Sequence, residues 1–368
     1  MPTSIQNLIV LGDSLSDIGI KREAPTGMFA RALGKMRTNE VGRYSDGKNW
    51  ADFLVEWMGG EPLIRGDKKQ TEYATEPHRT LTTNSLVLRT NFGDLAPVKY
   101  ANYAEGGAIA ASDWKPKAGA LGYLKEQVSA YINARRKLID QNQFTGHTMH
   151  IIWIGLNDII TAKREVPANP GPIDKPGTGI RPLVQEINEL VNEICDSFPT
   201  NPSFEHFVLI DLPSPLVSVR FQDKVADKGE DSVAQAVRNV DAFNAALRQL
   251  ATHWVKPGPK GGLGALQQTI SFVPMSAWMQ VVSNNPQQFN LTRLAQNHGP
   301  VPYMGMRDQT PPAIRRALTT SDLAHPTQAV YELIGRQIAD VLVPNYRLGT
   351  LTTGSWPERR PFPTIPGI

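Results

Sequence analysis

The chain has 368 residues, enough for one large α/β domain or two ordinary ones with a substantial core. Its 38 Lys and Arg against 35 Asp and Glu leave a formal net charge of +3, which gives no argument for a nucleic-acid partner. Hydrophobic residues make up 40%, which argues against wholesale disorder, and a single cysteine, Cys195, excludes an intrachain disulfide.

In chain order, residues 7–11 read as a short buried strand closed by Gly12. The stretch NWADFLVEWM (49–58) carries apolar residues at helical spacing and is stopped by Gly59 and Gly60. Residues 61–95 are polar and irregular, a loop with short elements. Residues 98–103 give a second strand and run into EGGAIAAS. A helical pattern over 121–140 is followed by a third strand at 150–154, which ends in GLND. Residues 165–182 hold five prolines and three glycines and read as a long surface loop. Helix 183–198 contains Cys195, read as a core residue on an amphipathic face. A fourth strand at 204–210 runs into DLPSPL, a long helix spans 230–254, and a fifth strand covers 269–273. The motif SDLAHPT leads into a last helix, 328–342. Beyond Pro344 the chain is proline-marked and weakly periodic, which divides it into a domain at 1–345 and a tail at 346–368 laid on the surface or disordered.

Strands alternating with helices imply a parallel sheet covered on both faces, with the site beyond the carboxyl ends of the strands. GDSLSD, EGGA, GLND and LPSP all fall there. No stretch reaches the roughly 20 apolar residues that span a bilayer. Residues 1–7 carry no basic side chain and the apolar run at 8–11 is too short for a signal core. The expectation is a cytoplasmic protein, or one exported without a cleaved signal, unless a longer chain has been trimmed.

An acyl-transfer site needs a nucleophile, a base, a group that orients the base, and donors for the oxyanion. Ser14 stands where the first strand ends. Of seven histidines, His147, His150 and His206 flank strands at their starting ends, away from such a site, and His253 belongs to the long helix. His325 precedes Pro326 and follows Asp322 by three residues, so a short loop can bring that carboxylate to its ring. Asn157 can aim an amide at an oxyanion, and a bare Gly106 or Gly107 N–H can approach substrate closely. Each residue also has a structural reading as a turn, cap or packing residue. The conjunction of four motifs in order is what favours chemistry.

That conjunction resembles the GDSL, or SGNH, esterases and lipases. GDSLSD, NYAEGGA, GLND and SDLAHPT match its blocks, and GRYSDGKNWADFL (42–54) is similar to a segment of its longer members. The resemblance spans about residues 7–342. It implies a three-layer α/β/α sandwich with a five-stranded parallel, flavodoxin-like sheet. It implies Ser14 as nucleophile, His325 as general base and then acid, and Asp322 as its orienting group. The oxyanion hole is implied to be the Ser14 N–H, the Gly106 N–H and the Asn157 side chain, with Gly107 competing for the second place. No metal or organic cofactor is implied, and the substrate class is a small-molecule or lipid ester. Acyl transfer to a sterol or sugar alcohol is the alternative within the same chemistry, and a non-catalytic module on the same fold is a third reading. Asp13 and Asp17 are expected to bond loop amides. Asp46 reads as a charge that disfavours anionic substrates at the mouth, or as solvated surface. Trp114, Trp153 and Phe29 read as core or as an acyl pocket. Oligomeric state, acyl-chain length and the role of loop 165–182 are left open.

Overall fold

A computed structural model of the chain describes residues 1–23, 27, 38–39, 41–60, 62, 86–87, 98–111, 122–140, 144–161, 183–198, 204–253, 270–291 and 324–352. Its elements are β1 (Thr3–Ser4), β2 (Asn7–Gly12), α1 (Ile20–Glu23), α2 (Trp50–Trp57), β3 (Leu86–Val87), β4 (Lys99–Asn102), α3 (Leu124–Asp140) and β5 (Thr148–Trp153). They continue with α4 (Leu156–Ile160), α5 (Leu183–Ser197), β6 (Glu205–Ile210), α6 (Val219–Lys228), α7 (Asp231–His253) and β7 (Ile270–Val273). The last are α8 (Met275–Asn284), α9 (Gln328–Leu342) and β8 (Tyr346–Arg347).

The main sheet runs β3-β4-β2-β5-β6-β7. Five of these strands are parallel, and β3 adds an antiparallel edge. Numbered among themselves, the parallel strands have the order 2-1-3-4-5, the flavodoxin-like arrangement. Its chain reversal lies between β2 and β5, and ligands in such sheets bind at that point. Every residue of β2, β5 and β6 is buried, as expected for strands covered on both faces. Helices α3, α5 and α7 pack together on one face, while α9 packs on α2, α8 and β7 on the other. Cys195 is buried in α5, as its pattern predicts. Trp153 is core as well, its indole donating to the Asp211 carbonyl at 3.1 Å. Trp114, Phe29 and the 165–182 loop lie outside the described residues. Among the described residues no helix is long and apolar enough to cross a membrane.

Two features differ from the sequence reading. Helix α8 occupies a stretch read only as polar and proline-marked, although Met275, Trp278, Met279 and Val282 repeat at i, i+3, i+4 and i+7 and are buried. The assigned tail does not begin at 346. There β8 pairs in parallel with β1, and Tyr346, Leu348 and Leu351 are buried. Proline content marks the tail but says nothing of a strand whose partner lies over 340 positions away. Residues 353–368 lie outside the described residues.

The ends of the sheet differ in character. At the amino ends of β5 and β6, Arg135 and Glu205 form a buried bidentate pair at 2.5 and 2.9 Å. Arg135 also donates to the Tyr131 hydroxyl, which meets His150 Nε2 at 3.0 Å, while His147 and His206 are joined ring to ring at 2.9 Å. Three of the histidines thus lie at the bottom of the fold, as the sequence places them. The motif loops gather at the opposite end.

Candidate active site

The loop after β2 is pinned on all sides. A Cβ on Gly12 would overlap the Trp153 carbonyl oxygen, so only glycine lets β2 and β5 end side by side. The Gln127 side chain clamps this residue from α3, accepting from its N–H at 2.9 Å and donating to its carbonyl at 2.8 Å. Asp13 accepts from the Leu15 N–H at 3.0 Å. Asp17 accepts from the amides of Gly19, Ile20, Lys21 and, across the site, Gly106. Both acids therefore hold loop amides, as expected. Trp50 and Asn102 fix Ser16 through its hydroxyl and its carbonyl. Ser14 projects from this frame, 9% exposed.

His325 meets it from the far end of the chain. Its Nε2 lies 2.9 Å from Ser14 Oγ, across 311 positions of sequence. The ring rests on Tyr44, centroid to centroid 4.9 Å. Tyr44 in turn lies flat against Gly106, where a Cβ would overlap its ring. Glycine is needed at 106 to let Tyr44 support the imidazole. Sequence reasoning did not single out Tyr44. Its signal is its place in GRYSDG, the segment that resembles the longer family members.

The same segment holds the helix that follows His325. Asp46 Oδ1 accepts from the Gln328 N–H, the first residue of α9, at 2.7 Å, and the Lys48 N–H donates to the Gln328 side chain at 2.9 Å. Thr327, the N-cap, makes no side-chain cap bond, so Asp46 caps the helix from across the fold. Asp46 is buried and bonded. It is neither a solvated surface residue nor a free charge at the mouth. Asp46→Ala is expected to cost about 1 kcal/mol, as loss of a cap does, in urea unfolding. It should also lower kcat more than it raises KM, because the peptide it releases is three residues from His325.

Asn157 sits at the start of α4, after Gly155, whose φ is +121°. A Cβ at Gly155 would overlap Phe243 of α7. The Asn157 Nδ2 donates to the Ala108 carbonyl at 3.2 Å and to Asp13 Oδ2 at 3.4 Å, while its Oδ1 accepts from the Thr161 hydroxyl at 3.2 Å. The next residue, Asp158, is buried and accepts from the Ala110 and Ala111 amides, tying the EGGAIAA loop to α4. The two competing glycines separate clearly. The Gly106 N–H is committed to Asp17 at 2.7 Å. Gly107 has φ +80°, and neither its N–H nor that of Ser14 has an acceptor among the described residues. Asp322 lies outside the described residues.

These groups line one cavity of about 500 Å³ together with Leu156, Ile160, Val217, Phe221 and Met279. A polar end with an apolar body is the ordinary form of a small-molecule site. Pro213, Ser214 and Pro215 of the LPSP motif form part of its wall, with Ser214 capping a short 3-10 turn through the Leu216 N–H.

Residues 8–338 match the family model described as GDSL-like lipase/acylhydrolase. The chain belongs to that family. This GDSL-like protein is therefore a hydrolase by family, and its fold is the one the resemblance implies. It is similar to solved structures of a lipase from a goat rumen metagenome and of a possible lipase from Chitinophaga pinensis DSM 2588. The first is 11% identical, covering 93% of this chain and 99% of that one, with a TM-score of 0.38. The second is 13% identical, covering 91% and 96%, with a TM-score of 0.41. No curated protein matches the chain in sequence. Among the described residues of this GDSL-like hydrolase, no group of three or more His, Cys, Asp or Glu is placed to hold a metal ion.

The site's electrostatics are dominated by burial. Loss of water raises Asp13 to about 7 and Asp17 to about 6, against the bonds they accept, and Asp211 near β6 likewise to about 6. In the unfolded chain these acids return to the ordinary 3.8. A raised carboxyl favours the folded state while protonated, and that contribution is lost as pH rises through the folded value. The buried histidines act in the opposite sense. His150 is pushed well below 6.5 and His206 to about 4, both first by burial, so they cost stability as pH falls below 6.5. The melting temperature should therefore rise gently as pH drops from 8 toward about 6, the two histidines offsetting part of what the three acids contribute. Scanning calorimetry across that range checks it. A melting temperature that climbs steadily from pH 6 to 8 contradicts it.

Proposed function

We propose that this hydrolase is a serine esterase or lipase that works through an acyl-enzyme on Ser14. Ser14 Oγ attacks the ester carbonyl carbon as its proton passes to His325 Nε2. The carbonyl oxygen becomes an oxyanion and receives the N–H of Ser14, the N–H of Gly107 and the Asn157 amide. Gly107 replaces Gly106 in this role, since the Gly106 N–H already serves Asp17. Collapse of the tetrahedral intermediate breaks the bond to the alcohol, which takes the proton back from His325. Water then attacks the acyl-enzyme with His325 again as base, the acyl–Oγ bond breaks as His325 returns the proton to Ser14, and the free acid leaves. Asp322 keeps the role the family resemblance gives it, orienting His325. Residues 1–345 with the strand at 346–347 form the catalytic domain in this reading.

The observation that carries it is the 2.9 Å approach of His325 Nε2 to Ser14 Oγ at the polar end of the apolar cavity. The test is covalent labelling with a fluorophosphonate probe, with the modified peptide mapped, beside turnover of nitrophenyl esters of increasing chain length. Label on Ser14 and ester hydrolysis are expected. No label on the native protein returns it to a non-catalytic module. Product analysis with added alcohol separates hydrolysis from acyl transfer, which shares every step up to the acyl-enzyme.

A further inference from the structure

The mechanism above leaves one buried acid of the cavity without a task. Asp13 is 2% exposed, lies beside the nucleophile and lines the same cavity as Ser14 and Asn157. Its Oδ1 is occupied by the Leu15 N–H. Its Oδ2 faces Asn157 Nδ2 at 3.4 Å.

We infer that Asp13 is a positioning residue that fixes which end of the Asn157 amide faces the oxyanion. The inference rests on the reading of Asn157 as an oxyanion donor. A primary amide presents two donors at nitrogen and an acceptor at oxygen, and the two ends have nearly the same shape. Packing alone does not choose between them. Three partners do. The Ala108 carbonyl and the ionised Asp13 can only accept, so the NH₂ must face them. The Thr161 hydroxyl donates to the oxygen on the other side. The amide hydrogens are thereby held against Asp13, the residue next to Ser14, and Ala108 before substrate arrives. The Asp13 bond is the longer of the two at nitrogen, so an oxyanion can draw that hydrogen away at little cost.

The charge on Asp13 has neighbours on each element packed around it. His325 faces it from the loop before α9, Asp158 from α4 and Asp17 from its own loop. Lys21, the cavity's lysine, is paired with Glu105 at 2.8 Å. On protonation, Asp13 gains a hydrogen to donate, and the constraint on the amide is released. Burial places that event at about pH 7.

Asp13→Asn is the decisive variant because it keeps the shape and the acceptor for Leu15 but turns the second oxygen into a donor. Two NH₂ groups then face each other, so the Asn157 amide loses one of its two acceptors and is pushed from its place. The expected result is a fall in kcat toward the roughly 10²–10³-fold loss that removal of an oxyanion donor causes, with KM changed only a few-fold. The double variant Asp13→Asn/Asn157→Ala should be no slower than Asn157→Ala alone. A second readout needs neither turnover nor a variant at 13. The Asn157 side-chain amide signals in NMR, assigned by their loss in Asn157→Ala, should titrate with a midpoint of about 7 in the native protein. If the native protein hydrolyses no ester, the functional reading fails while these signals still decide the role of Asp13. Wild-type kcat in Asp13→Asn, multiplicative losses in the double variant, or amide signals indifferent to pH would each overturn the inference.

Discussion

Ser14→Ala is expected to lower kcat on a nitrophenyl ester by about 10⁶-fold while leaving circular dichroism and the urea midpoint nearly unchanged. The size follows from what is removed. Without the hydroxyl no acyl-enzyme forms, and only binding and the oxyanion donors are left to assist water. The fold is spared because, among the described residues, the Ser14 hydroxyl bonds only to His325. The loop is held instead by Gly12, Asp13, Ser16 and Asp17. His325→Ala should fall about as far, and the double variant no further, since the two side chains act as one unit. Turnover in Ser14→Ala within tenfold of the native rate would remove this residue from the mechanism.

Asp52→Ala is expected to cost about 3–5 kcal/mol in urea unfolding, the largest stability loss foreseen here. Arg43 is 1% exposed and Asp52 is 3% exposed, and they meet through two bonds at 2.6 and 2.9 Å. Arg43 also donates to the Ile18 and Val41 carbonyls. Those bonds persist in the variant, but the carboxylate that meets the guanidinium through two bonds is gone, and a buried guanidinium cannot shed its proton. Asp52 further closes a capping box with Asn49 at the start of α2, so that helix loses a partner too. Glu56→Ala provides the contrast. It breaks the pair with Lys48, which is partly exposed and belongs to the class worth at most about 1 kcal/mol. Similar losses in the two variants would contradict this account of the buried pair.

Much of this was legible in the sequence. The strands and helices that build the two faces have periodic apolar patterns, and the observed bounds differ by a few residues at most. Ser14 and His325 were legible because motif and position agree: each follows a break in regular structure at the carboxyl end of the sheet. What escaped was decided by partners far away in the chain. Whether Gly106 or Gly107 can serve an oxyanion depends on Asp17, 89 positions before the amide it holds. Asp46 is a helix cap only because Gln328, 282 positions later, is its neighbour. Asp13 looks like a turn residue until Asn157 is placed beside it. Local pattern reports elements; it does not report which buried polar groups become mutual partners when those elements meet.

The floor of the cavity and much of its wall come from different parts of the chain. The floor is built by loops after β2, β4 and β5, locked by Gln127, Asp17 and Asp158. Part of the apolar wall comes from Val217, Phe221 and Met279, on segments that supply neither Ser14, His325 nor Asn157, while Leu156 and Ile160 share α4 with Asn157. Evolution can therefore rework the wall by drift and selection without disturbing the reaction machinery. New substrate preferences are accessible one side chain at a time, while the floor tolerates almost no change.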